Sequence, residues 1–220
     1  MGETSPYYHM KPLIALTLTT RIEPTTFSTD ADLIEIRLDM VPDADPDWVY
    51  QIKKNFSGNV ILTLRSREEG GLFMGTVAEW FDRISQYRGI CDYIDIEGRF
   101  SPVASQIHRT GTEKILASCH MPTMPDDDAL HALYDRLVSY GDIPKIAVAP
   151  GDENDLLRFA LFTVSAKKPV ITSIMGEKFR WARPFLVLLG SAWTYCHAGE
   201  EAAKGQYHID EMKTLFSLLL

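Results

Sequence analysis

No apolar run in this 220-residue chain approaches the eighteen or so residues that span a bilayer as a helix; the longest, Leu13 to Leu18 and around Phe185 to Leu189, fall far short. The N-terminus also lacks the charged, apolar and small-residue order of a signal peptide, so a cytoplasmic protein without membrane contact is expected. Cysteine is scarce: Cys91, Cys119 and Cys196 are widely spaced with no CxxC pair, which argues against a disulfide framework or a zinc site and leaves them as small core residues. Positive charge is in deficit, with 22 Lys and Arg against 30 Asp and Glu, a net charge of -8. Such a balance with scattered basic residues disfavours nucleic acid as a partner, and any anionic ligand needs a local basic site. A glycine-rich phosphate loop is missing too: Thr19-Thr20-Arg21 follows the first candidate strand, against a dinucleotide-binding fold. With no low-complexity stretch and no interior linker, residues 1–220 read as a single domain.

What is present is a full apolar complement, 45% of residues, arranged as short β-type runs alternating with helical patterns. The strands are expected at 13–19, 33–39, 60–65, 93–97, 114–120, 145–149, 170–175 and 192–196. Helices are expected at 47–55, 77–87, 102–109, 127–140, 154–166 and 208–220, with a short one opened by Pro184 and ended by Gly190. Asp126 to Asp128 cap one helix start, and Gly111 and Lys167-Lys168-Pro169 close two others. Eight strand-helix units imply parallel pairing and favour one closed (β/α)8 TIM barrel, α/β in class, over an open sheet.

The stretch LIEIRLDM, Leu33 to Met40, then poses a problem of orientation. Its apolar set must meet the outer helices, so Glu35, Arg37 and Asp39 point to the barrel axis. The same parity sends Thr17, Thr19, Thr63, Arg65, Asp95, Glu97, Ser118, His120 and Lys145 inward. An interior this charged is either a salt-bridge plug or a polar ligand site. Contributions from six strands, several at the C-terminal ends where such barrels work, favour the site.

Lys145 opens an apolar strand, IPKIAVAP, with no carboxylate beside it in sequence; burial and nearby cations are expected to depress its pKa and free an amine for imine formation. His120, on the adjacent strand, suits proton transfer near neutral pH. Glu69, in REEGG, is placed to orient or charge that histidine, and Gly70 and Gly71 let its loop move. A lysine-dependent aldolase or transaldolase, or a non-catalytic binder of a small acid, would fit parts of this pattern; the aldolase needs a glycine-rich phosphate site after strands seven and eight, where only Gly176 stands.

Taken in order, EIRLD, LRSREEGG, ASCH, IPKIAV and MGEKFRWARP through GSAWTYCHAGEEAAKGQ resemble the type I 3-dehydroquinate dehydratases of the shikimate pathway, from Leu13 to the last helix. The resemblance implies dehydration of 3-dehydroquinate to 3-dehydroshikimate through a lysine Schiff base, with no metal or cofactor, and favours a homodimer. It assigns the imine to Lys145, proton transfer to His120 and its acidic partner to Glu69. Substrate contacts fall on Glu35, Arg37, Arg65, Arg183, Gln206 and Thr17, with Arg183, or Arg180 on the same loop, taking the carboxylate. The chain departs from the family at Phe179 and Ala182, where a glycine and a serine are usual, and at Ala202, where a substrate-contacting serine is expected. Residues 198–206 are expected to form a lid.

Overall fold

The computed structural model describes residues 11–110 and 113–220. Its framework is β1 Leu13–Leu18, β2 Leu33–Arg37, α1 Pro46–Asn55, β3 Asn59–Thr63, α2 Val77–Ser85, β4 Tyr93–Glu97, α3 Ala104–Thr110, β5 Lys114–Met121, α4 Asp127–Val138, β6 Ile143–Val148, α5 Glu153–Ser165, β7 Ile171–Ile174, α6 Ala182–Leu188, β8 Trp193–His197, β9 Tyr207–His208 and α7 Ile209–Leu219. Every strand pair is parallel, in the order β7-β6-β5-β4-β3-β2-β1-β8-β9. The sheet curls into a (β/α)8 barrel, as the alternation required. The helix stop assigned to Gly111 lies outside the described residues.

Helix boundaries follow local chemistry. Asp45, Thr76, Asp126 and Asp152 each accept a hydrogen bond from a first-turn amide of α1, α2, α4 and α5, and Pro46 fills the first turn of α1. The first crossover, from β1 to β2, contains no helix; Ile22 and Phe27 from that loop pack against the core instead. That economy is how the barrel fits a short chain.

Two apolar layers flank the strands. Ile14, Leu16, Ile34, Ile36, Leu62, Ile94 and Ile96 face the helices, and Ile146, Val148 and Ile174 do so on the other side of the ring. Inside, the lower barrel is filled by Ala15, Leu33, Ile61, Leu116, Ile143, Ile171, Trp193 and Tyr195. Tyr93 and Trp193 meet within this floor, with ring centroids 5.7 Å apart. Inward residues nearer the C-terminal strand ends are polar or charged, so the interior is a dry floor beneath a charged chamber.

The join between β7 and β8 carries no strand ladder among the described residues. It is closed by Ala192 N donating to Val170 O at 2.8 Å and by Ser191, whose Oγ accepts from Thr172 N at 3.0 Å and lies 3.2 Å from Thr172 O.

Candidate active site

The parity assigned from sequence brings Thr17, Glu35, Arg37, Thr63, Arg65, Asp95, Glu97, Ser118 and Lys145 into the buried interior, with His120 half-buried at its rim. Among the described residues Lys145 is the one buried lysine. Its register opposite Ser118 and Ile171 sets it on the axis, and His120 stands one inward step higher on the neighbouring strand, opposite Ala147.

Lys145 Nζ lies 2.9 Å from Asp95 Oδ2 and 3.7 Å from Glu35 Oε1, and 4.3 Å above the centre of the Tyr195 ring. Here the expectation of a depressed amine is corrected. Burial does push the ammonium down, but Asp95 first, then Tyr195 and Glu35, outweigh it, and the net shift is upward. The carboxylate that reverses the sign is fifty residues away in sequence, on β4, so nothing adjacent to Lys145 announced it.

Asp95 is itself fixed. Its Oδ1 accepts from Arg65 Nη2 at 3.0 Å and from Ser118 Oγ at 2.5 Å. Burial favours its neutral form, yet Arg65 and then Lys145 overcome that and hold it ionised, well below the usual carboxylate range. Arg65 Nη1 donates to Glu97 Oε1 at 2.9 Å and to Ser118 Oγ at 3.0 Å, and Glu97 also accepts from the Ser66 amide and hydroxyl. Glu35 is held by hydroxyls from both neighbouring strands, Thr17 at 2.9 Å and Thr63 at 2.8 Å. Arg37 makes a two-point pair with Asp39 at 2.9 and 2.7 Å.

Five carboxylates, Glu35, Asp39, Glu69, Asp95 and Glu97, thus surround three permanent cations, Arg37, Arg65 and Lys145. Glu69 absorbs the imbalance. Burial most of all, with Glu97 and Asp95 adding to it against Arg65, pushes its carboxyl up to about 8. Its Oε2 accepts from the His120 backbone amide at 3.0 Å and is hydrogen-bonded to His120 Nδ1 at 2.8 Å. Burial, then Arg65 and Lys145, lower the His120 pKa well below its ordinary value, so the imidazole is neutral at pH 7. Glu69 reaches this place on a single 3-10 turn, Arg67–Glu69, capped by Ser66 and ended by left-handed Gly70 (φ 86°). A side chain on Gly71 would strike Arg65 O at 2.2 Å, so the loop can fold back this tightly only on glycine.

The second cationic element is Arg183, on α6, buried and without a carboxylate partner among the described residues. Its Nη2 donates to Lys204 O at 3.1 Å, and its Nε is buried with no partner. Burial pushes its pKa down to about 10, which is the signature of a cation lacking an anion. Arg180 is already engaged: it stacks 4.1 Å from the Tyr207 ring centre, with Nη2 3.5 Å from Glu211. The loop after β8 arches over this region. Gln206 Oε1 accepts from Ala202 N at 2.9 Å, Gly205 N donates to Glu201 at 3.0 Å, and Gly205, at φ 79°, lies so close to Gly176 that a Cβ would sit 2.4 Å from Gly176 O. Ala202 brings only a methyl group where a hydroxyl was expected.

Strand parity orients Asp95 and Ser118 inward but assigns them no role, and Tyr195 was not among the residues expected on the axis. The alternation of YIDIE and of WTYCH carried the signal for Asp95 and Tyr195; their partners did not lie nearby in sequence. Among the described residues no group of three or more His, Cys, Asp or Glu is arranged to hold a metal ion; the carboxylates here meet Lys and Arg.

The model of the type I 3-dehydroquinase family matches residues 15–220. The 3-dehydroquinate dehydratase of Methanospirillum hungatei is 41% identical over 191 residues, covering 87% of this chain and 74% of that one. That of Methanoregula boonei is 40% identical over 195 residues, covering 89% and 93%. Among solved structures, the 3-dehydroquinate dehydratase from Aquifex aeolicus superposes with a TM-score of 0.77 at 27% identity, covering 92% of this chain and 96% of its own. The enzyme from Geobacillus kaustophilus gives 0.82 at 24% identity, covering 95% and 91%, a likeness of fold.

Proposed function

The chain belongs to the type I 3-dehydroquinase family, and from that premise we propose that its dehydration of 3-dehydroquinate in the shikimate pathway runs through a Schiff base on Lys145. The observation that carries this reading is the burial of one lysine in a charged chamber, with a neutral histidine on the next strand. Nζ condenses with the C3 ketone and water leaves. The iminium draws electrons from C2, so a weak base suffices to take the C2 proton, and neutral His120 is that base. The protonated imidazole then gives a proton to the departing C1 hydroxyl, and hydrolysis of the imine frees 3-dehydroshikimate.

The remaining residues hold the substrate. Arg183 pairs with the carboxylate, since a planar guanidinium matches it at two points and its own Nε has no partner among the described residues. Glu35, Arg37 and Gln206 address hydroxyls, Thr17 orients Glu35, and the Ala202 position contributes backbone only. Arg65, assigned with them to the substrate, also carries Asp95, Glu97 and Ser118 on its guanidinium and so organises the chamber. A cytoplasmic location and a homodimer belong to the same reading. For the dimer, the favoured surface is the outer face of α5 and α6, where Leu157, Leu161, Val164, Trp181, Phe185 and Leu189 are exposed at helical spacing.

Borohydride added with 3-dehydroquinate tests the mechanism. A stable mass adduct mapped to Lys145, and loss of turnover in a folded Lys145→Ala variant, are the expected results. Binding without any adduct would exclude the imine.

A further inference from the structure

Imine chemistry at Lys145 requires an ammonium held in an ion pair to become a nucleophile and then a cation again. Resting on that chemistry, we propose that Asp95 is the positioning residue for the cycle: the fixed counter-ion of the residue-145 nitrogen and the carrier of its transferable proton.

The geometry singles Asp95 out. Around Nζ stand Glu35 from β2, Arg65 from just beyond β3, Asp95 from β4, His120 from β5 and Tyr195 from β8, while β7 presents apolar Ile171. Of these, Asp95 alone makes a direct hydrogen bond to Nζ, at 2.9 Å. Glu35 Oε1 is 3.7 Å away and already accepts from Thr63. The opposite oxygen of Asp95 is tied to Arg65 and Ser118, so the carboxylate cannot swing away when the ammonium loses its proton. Burial leaves no bulk water to take its place.

The proton count explains why a fixed anion suits this position. An ammonium and a ketone give an iminium and water: two of the three N–H protons leave with the ketone oxygen, and one stays on nitrogen. The nitrogen therefore carries one positive charge before and after the step, and a carboxylate beside it pairs with both. Between these states Asp95 accepts one ammonium proton, transiently and against the equilibrium that keeps it ionised, exposing the lone pair that attacks C3. The second proton passes from nitrogen to the former carbonyl oxygen in the carbinolamine. Asp95 then returns its own proton to that oxygen, which departs as water while the C=N bond forms.

The test is Asp95→Asn, which keeps shape and removes charge, measured for steady-state kinetics and for the pH dependence of borohydride trapping. The expected result is a kcat loss on the order of 10²-fold with little change in KM, and a trapping profile whose acid limb moves down by about one pH unit or more. Asp95→Glu, which keeps the charge but moves the carboxylate, should return the acid limb to its wild-type position while adduct formation stays slowed. A folded Asp95→Asn variant with wild-type kcat, or a kcat loss without the pH shift, overturns the proposal. Should Asp95→Asn not fold, Asp95→Glu decides: adduct formation slowed about tenfold or more at unchanged final yield supports the role, and an unchanged rate overturns it. Absence of an adduct in the wild-type protein sinks the imine reading and this proposal together, whereas an adduct there with an indifferent Asp95→Asn sinks this one alone.

Discussion

A carboxyl that titrates near 8 makes Glu69 the residue whose protonation the solution pH controls. When Glu69 is protonated, it donates to His120 Nδ1, leaving the imidazole proton on Nε2, the wrong tautomer for accepting a proton there. Ionised Glu69 accepts from Nδ1–H and frees Nε2. Since the pair titrates as a unit, kcat/KM is expected to rise with pH through about 8. Glu69→Gln should flatten that limb, because the amide oxygen accepts from both the His120 amide and Nδ1–H at every pH; a limb that persists would place it elsewhere. The linkage to stability has the opposite slope. The folded state binds this proton more tightly than the unfolded chain, so its contribution is fullest below the ordinary carboxylate pKa and is lost as pH rises through about 8. Thermal unfolding of Glu69→Gln compared across that window should lack this component. Arg183→Ala should raise KM on the order of 10 to 100-fold, the worth of charge-assisted hydrogen bonds to a carboxylate, in steady-state assays. At this scale the inward positions of Lys145, His120, Glu35 and Arg37 were legible because alternation dictates the face. The sign of the Lys145 shift was not, since it depends on Asp95, which only folding brings near.

Elements deliver these side chains, and their limits were legible to within a few residues wherever caps or prolines mark them. Short pieces escaped the pattern. The 3-10 turn that carries Glu69 and the two-residue β9 are too brief to show any periodicity, and their shape comes from contacts with Ser66, Gly71 and β8. The loop after β8 is expected to be a lid from its position. Its internal bonding, through Gln206 and Ala202, was beyond sequence because it depends on the left-handed backbone at Gly205. Gly205→Ala is expected to push this loop off Gly176, costing about 1–3 kcal/mol where strained backbone and close approach combine. KM should rise more than kcat falls; unchanged kinetics with an unchanged melting temperature would show that the loop does not need this contact.

For the whole molecule, alternation of strand and helix sufficed to foresee a parallel barrel, and the excess of inward charge pointed to the end proposed to do the chemistry. The missing first helix was foreshadowed only by the absence of a helical pattern between the first two strands. The proposed homodimer is checked by sedimentation of the wild-type chain and of Leu161→Glu: the variant should be monomeric, and a wild-type monomer would refute the assignment to α5 and α6. The unladdered join between β7 and β8 has a further consequence. Both closures above it, Gly205 against Gly176 and Arg183 against Lys204, reach across the same gap. An acid lodged on Arg183 would therefore act as a clasp, and the slowing of amide exchange at Thr172 and Ala192 on ligation should report how far the ring breathes when nothing fastens it.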